Sequence, residues 1–168
     1  MQKIGSFEKV SFEQFEKDWN HPSGNTENVR EIYERIQLPF RATRGSAGYD
    51  FHAPVDIDLE PGCSVLIPSG IRARITDGWV LMIFPRSGLG FRYRMQLDNT
   101  VGIIDADYYN AENEGHIMVK ITNDSREGKS LHIEQGRGLV QGIFLPFGIV
   151  EDDDAEGIRK GGFGSTEK

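Results

Sequence analysis

Between residues 39 and 150 the chain is a succession of short apolar stretches separated by turn residues, with no helical run between them. Val55, Ile57 and Leu59 alternate with acids before Pro61-Gly62 turns the chain, and Ile71, Ala73 and Ile75 alternate with polar residues. Ile117, Val119 and Ile121 repeat the pattern. A period of two puts one face of a strand into a core and the other into water. The unbroken apolar run at residues 79–84 reads as a buried strand, and residues 139–147 supply another long one. Many short strands without crossover helices argue against a parallel α/β sheet. They imply a mainly β chain folded as a sandwich, barrel or jelly roll.

The two flanks differ from this region. Ser11 stands three positions before Gln14, the spacing of a capping box, and Phe12, Phe15 and Trp19 then fall on one helical face. Residues 21–25 break that helix, after which Val29, Ile32, Tyr33 and Ile36 repeat the helical spacing up to Pro39. At the other end, four acids at 151–154 are followed by Gly157, Gly161, Gly162 and Gly164, the composition of a linker and flexible arm. The expected division is a short helical extension at 1–38, a β core at 39–150 and an acidic linker with a Gly-rich arm at 151–168.

A chain of 168 residues suits one domain. Its net charge of −7 argues against a broad nucleic-acid-binding face. One small anionic substrate is compatible with that charge. Charges beyond about 10 Å are screened at 0.1 M salt, so a few local arginines can govern a cleft. No apolar run approaches the roughly 20 residues of a membrane span. Cys63 is the single cysteine, which fits a reducing cytoplasm and supplies neither a disulfide nor a thiolate cluster. His21, His52, His116 and His132 lack ligand spacing. Phe91-Arg92-Tyr93-Arg94 reads as an alternating strand at a subunit contact.

Three segments carry chemistry. Pro85-Arg86-Ser87-Gly88-Leu89-Gly90 leaves an apolar strand as a Gly-containing turn whose backbone N–H groups, with Arg86 and Ser87, can hold an anion; its plain alternative is a turn with a surface arginine. In residues 97–108, Asn99 and Gly102 suit a hairpin, and Asp105 follows two apolar residues where a carboxylate can take a proton from water. Solvated acids on a hairpin are the alternative there. Arg159-Lys160-Gly161-Gly162-Phe163-Gly164-Ser165-Thr166 combines cations, bare backbone, hydroxyls and an aromatic, a set able to wrap a triphosphate while the ring stacks on a base.

In order along the chain, these pieces resemble the five motifs of the trimeric dUTPase family. Ala42-Thr43-Arg44-Gly45-Ser46-Ala47-Gly48-Tyr49-Asp50 is similar to the first, and Arg86-Ser87-Gly88-Leu89-Gly90 to the second. Gly102-Ile103-Ile104-Asp105-Ala106-Asp107-Tyr108 is similar to the third, Val140-Gln141-Gly142-Ile143-Phe144 to the fourth and Gly161-Gly162-Phe163-Gly164-Ser165-Thr166 to the fifth. Each is weak alone; five in order are not.

The resemblance implies a jelly-roll-like β-barrel, a homotrimer with sites at subunit contacts, and hydrolysis of dUTP to dUMP and pyrophosphate with Mg²⁺. It implies that Asp105 activates the water attacking the α-phosphorus, and that the Tyr108 ring leaves no space for a 2′-hydroxyl. Asn99, with backbone of Gly102, Ile103 and Ile104, would read uracil, and Met118 would lie on the returning strand of that hairpin. Arg86, Ser87, Gly88 and Gln141 occupy phosphate-binding positions, and Asp50 holds Mg²⁺ through water. Phe163, with Gly164 and Ser165, closes over the base, and Arg159 reaches the terminal phosphate.

The chain departs from the family pattern in several places. Residues 109–114 intervene between Tyr108 and Gly115, where the family turns quickly to a Gly-acidic pair. Gly138 stands where the family has an arginine three residues before Gln141, with Arg137 one position earlier. The helical N-terminal zone lies outside the common core. Two other readings fit parts of the pattern: a dCTP deaminase of related fold, and a phage-type regulator that keeps the frame but engages a protein partner.

Overall fold

The structure, a computed structural model, describes residues 2–19, 28–157, 159 and 161. Among these residues, eleven strands pair antiparallel in four small sheets. The largest sheet has the order β2 (Tyr49–His52), β11 (Gly138–Pro146), β6 (Trp79–Pro85), β8 (Gly102–Ile104). A second has β4 (Ser64–Pro68), β9 (Met118–Asn123), β7 (Met95–Leu97). Two ribbons complete the body: β1 (Gly5–Lys9) with β5 (Ile71–Ile75), and β3 (Ile57–Leu59) with β10 (Leu131–Ile133). Neighbours in a sheet are seldom neighbours in sequence, as in a jelly roll.

The alternation works as expected. Ile57, Leu59, Val65, Ile67, Ile71, Ala73, Val119, Ile121, Leu131 and Ile133 are all buried in one core with Leu81, Ile83 and Ile104. The run at 79–84 departs from the expectation of full burial. Leu81 and Ile83 are buried, whereas Val80, Met82 and Phe84 are only half-buried on the outer face of the sheet. Strand register places Ile143 and Ile103 beside Met82, and Leu145 beside Val80, on that same face. The sheet is therefore apolar on both sides.

The N-terminal zone is not wholly helical. Its first element is β1, where Phe7 turns inward onto Tyr49, Phe51 and Phe144 at ring separations of 5.3, 5.5 and 5.6 Å. Five residues with one inward aromatic are too short to show a period, which is why the strand escapes a periodicity reading. Then α1 (Phe12–Asp18) and α2 (Val29–Arg35) form as the spacing predicts. Phe15 and Ile32 are completely buried with Val10 and Val55, and Trp19, Tyr33 and Ile36 pack around them.

Ser11 caps α1 by accepting from the Gln14 N–H at 3.1 Å. Gln14 does not complete the box; it donates to Asp18 instead, and the Ser11 N–H and hydroxyl go to Glu114 at 2.7 and 2.6 Å. Residues 91–94 also differ from expectation. They end α3 (Ser87–Tyr93), a helix in which Leu89 and Tyr93, four apart, pack on the core while Phe91 points to solvent.

Beneath α1 lies His116, fully buried. Its Nε2 accepts from the Gly70 N–H at 2.8 Å, so the proton sits on Nδ1, which donates to Asp18 at 2.6 Å. Burial holds the imidazole below its ordinary pKa of 6.5, against the upward pull of Asp18 and Glu114. Protonating Nε2 would also cost the Gly70 bond. The unfolded chain thus takes up this proton first, so stability falls as pH drops through about 6.5 and continues to fall towards the folded value. Glu114 and Glu8, whose carboxyls are held below 4.5 by Ser11 and by Tyr109, lose their contributions only at lower pH. His116→Gln should be less stable at pH 7, yet show a flatter melting temperature between about pH 6.5 and 5 than the parent. Parallel pH profiles of the two proteins would count against this role.

Candidate functional site

The β6 strand ends at Pro85, and the chain turns sharply into α3. Arg86, at that turn, crosses to β2 and β11: its Nε lies 3.0 Å from Asp50 Oδ1, and its Nη1 donates to the Gly138 carbonyl at 3.3 Å. Gln141, opposite Asp50 in register, donates to the Pro85 carbonyl at 3.1 Å. A Cβ on Gly48 would stand 2.6 Å from Gln141 Oε1, so glycine there makes the seat for that amide. Asp50, Arg86, Ser87, Gly88 and Gln141 line one open cavity of about 870 Å³.

Arg137 and Arg92 line the same cavity, and sequence reasoning did not place them there. The Gly138 departure now has a cause. A Cβ on Gly138 would lie 2.4 Å from Arg86 Nη1, so a larger residue would displace that guanidinium. Arg137, one position earlier, supplies a cation at the cavity. The neighbouring Gly-Arg pair was the available signal.

The second constellation forms where β8 ends. Asp105 precedes a 3-10 turn, Ala106–Asn110, that carries Tyr108 into the core at 5% exposure. The Tyr108 hydroxyl donates to the His116 carbonyl at 2.8 Å and accepts from Asn113 Nδ2 at 2.8 Å. Arg159 comes to this corner. Its guanidinium meets Asp105 at 2.6 Å and Asp107 at 3.0 Å, and lies 5.6 Å from the centre of the Tyr108 ring. The structure thus brings Arg159 to the carboxylate and not into the Arg86 cavity.

Asn99 sits in an exposed turn with Thr100 in the left-handed region at φ 67°. This turn is not a closed hairpin: β7 pairs with β9 and β8 with β6, so the chain changes sheets across it. Gly102 packs on Ile83, where a Cβ would come to 3.1 Å. Ile103 faces outward at 52% exposure, whereas Ile104 is buried. Met118 opens β9, which does run antiparallel to β7. Phe163, Gly164 and Ser165 lie outside the described residues.

The two constellations stand apart within one chain. Gly102 pairs with Ile83 and Ile104 with Leu81, so Asp105 falls level with Val80 while Arg86 lies beyond the other end of β6. Six residues of strand separate them by about 20 Å. Between them runs the outward apolar face of Val80, Met82, Ile103, Ile143 and Leu145.

Comparison with known proteins agrees with this architecture. The family model for dUTPase matches residues 34–167. The deoxyuridine 5'-triphosphate nucleotidohydrolase of Lactococcus lactis is 41% identical over 134 residues, covering 78% of this chain and 88% of that protein. The enzyme of the same name from Shigella sonnei is 41% identical over 143 residues, covering 80% and 90%. Among solved structures, the dUTPase from Streptococcus mutans superposes with a TM-score of 0.63 at 33% identity, over 87% of this chain and 98% of that one. A family match that takes in all five motif segments, with relatives aligned over most of their length, leaves one conclusion: the chain belongs to the dUTPase family.

Proposed function

We propose that this chain is the subunit of a homotrimeric dUTP diphosphatase that cleaves dUTP to dUMP and pyrophosphate. The observation that carries this reading is that, among the described residues, those from separated segments meet in two constellations. One is cationic and suited to phosphates; the other offers a carboxylate beside a tyrosine ring. Neither suffices alone, and a sheet apolar on both faces invites a second copy to cover it. Such packing would bring the Asp105 corner of one chain to the Arg86 cavity of another.

In this reading Arg86, Ser87, Gly88 and Gln141 bind the triphosphate, with Arg137 adding charge at the cavity wall. Asp105 orients a water against the α-phosphorus and accepts its proton. Tyr108 is a wall beneath the deoxyribose. Asn99, with backbone of Gly102, Ile103 and Ile104 and the nearby Met118, reads uracil. Hydrogen-bonding groups built for one base can reject another by about 10⁴, because the wrong base leaves them unpaired. Arg159 is held by Asp105 and Asp107 until substrate phosphates compete for it, and Phe163, Gly164 and Ser165 of the arm close over the base.

Mg²⁺ fits this donor set in one manner. No group of three or more His, Cys, Asp or Glu side chains stands ready to hold a metal among the described residues. Asp50 is already bonded to Arg86, and Glu134 is the one other carboxylate among the described residues of that cavity wall. That suits an ion ligated chiefly by phosphate oxygens and water, with Asp50 in the outer position. When bound, the ion would offset phosphate charge alongside Arg86.

Pyrophosphate release from dUTP, dTTP, dCTP and UTP, measured side by side with and without Mg²⁺, tests the reading. Strong preference for dUTP is expected; ammonia from dCTP would point to a deaminase instead. Ending the chain after Gly157 should lower turnover at least about ten-fold, because the arm supplies cationic contacts and excludes water. A truncated protein with full turnover would take the arm out of catalysis.

A further inference from the structure

Two segments depart from the motif pattern read in the sequence: the N-terminal residues before 34, which precede the family match, and the insert 109–114 after Tyr108. The structure joins the extension to the insert at two polar points, and to His116 just beyond the insert at a third. The Tyr109 hydroxyl donates to Glu8 at 2.7 Å, and the guanidiniums of Arg72 and Arg74 lie 4.4 and 4.9 Å from the centre of its ring. Glu114 receives both the N–H and the hydroxyl of Ser11. Asp18, the last residue of α1, holds His116, on whose ring Phe15 packs at 6.1 Å.

The contacts at Glu114 and His116 lead on to Tyr108. The His116 imidazole is fixed at both nitrogens, by Gly70 and Asp18, so its own carbonyl is a rigid acceptor for the Tyr108 hydroxyl. Asn113, within the insert, donates to that hydroxyl and also takes the Gly115 N–H at 3.2 Å. Gly115, at φ 69°, lets the insert turn directly against the Tyr108 backbone: a Cβ there would lie 2.7 Å from the Tyr108 carbonyl oxygen. Glu114 holds a left-handed conformation, φ 58°, that side-chain-bearing residues disfavour, and its two bonds to Ser11 keep it there.

We propose that the extension and the insert form one positioning device for Tyr108, with Asn113, His116 and Asp18 as positioning residues that set how firmly the site refuses ribonucleotides. This rests on the reading of Tyr108 as the wall beneath deoxyribose. Steric refusal of one added hydroxyl is worth only about 10² in rate, and it requires a wall that does not give. A ring pinned at its hydroxyl, 5% exposed, is such a wall. A ring released at that end can tilt and admit the 2′-hydroxyl.

The test measures kcat/KM for dUTP and UTP, with the unfolding temperature, in the full-length wild type and in Asn113→Ala, Asp18→Asn, Tyr108→Phe and the Tyr108→Phe/Asn113→Ala double variant. Asn113→Ala should reduce the preference for dUTP over UTP by about ten-fold, with most of the change in a raised kcat/KM for UTP. Asp18→Asn, which keeps side-chain shape, should move the ratio the same way by less. In the Tyr108→Phe background Asn113→Ala should have no further effect on the ratio, since the bond it would remove is already gone. An unchanged ratio in both single variants, with only the unfolding temperature lowered, would make the contacts purely structural and overturn the proposal. A wild type that cleaves UTP as readily as dUTP would overturn it while leaving the diphosphatase reading intact. A wild type that does not cleave dUTP would end both.

Discussion

Asp105→Asn should bind dUTP nearly as well as the parent while turnover falls by about 10²–10⁴, the range for losing a general base. The amide keeps the shape of the carboxylate but cannot accept a proton. The surroundings make the comparison clean. Asp105 follows β8 directly after buried Ile104, so the backbone that aims the side chain is fixed by the core and not by the carboxylate. Arg159 has a second carboxylate, Asp107 at 3.0 Å, and would not be stranded. The Asp105 side chain is half-exposed, so the substitution should alter stability little. Single-turnover pyrophosphate release, with nucleotide affinity measured separately, decides the matter. Near-normal turnover would remove Asp105 from the role of base; weakened binding with turnover preserved would make it a binding residue.

Much of the frame could be read from residue patterns because it rests on local rules. The two-residue period in β5 and β9 and the Ser11 cap of α1 each follow from backbone geometry and burial of one face. Elements whose form depends on distant partners were not legible. The strand β1 is too short for a period and exists because β5 offers it an edge and Phe7 finds three rings. The helix α3 hides in a Gly-rich stretch whose alternation of aromatic and basic residues mimics a strand. The same applies at the site. Motif order pointed to Asp50, Arg86, Gln141, Asp105 and Tyr108, yet nothing local told that Glu114, not Gln14, completes the Ser11 cap. Nor could it tell that Gly138 makes room for Arg86.

A mixture of two inactive variants should be active. Arg86→Ala removes the cation that braces Asp50 and faces the cavity, and loss of one such donor costs about 10²–10³ in turnover. Asp105→Asn fails for an unrelated reason. Asp105 and Arg86 lie at opposite ends of β6 within one chain, so in the proposed homotrimer a working site draws them from different chains. Co-folding equal amounts of the two variants should then return about a quarter of wild-type activity: each site has one chance in two of an intact Asp105 and one in two of an intact Arg86. The separate proteins, mixed without refolding, supply the baseline. If one chain held a whole site, every site in the mixture would carry one lesion or the other, and activity would stay at the mean of the two parents. That result would also remove the reason for the apolar outward face of Met82, Ile103 and Ile143 to bring another copy to the cavity, and the homotrimer proposal would fail with it.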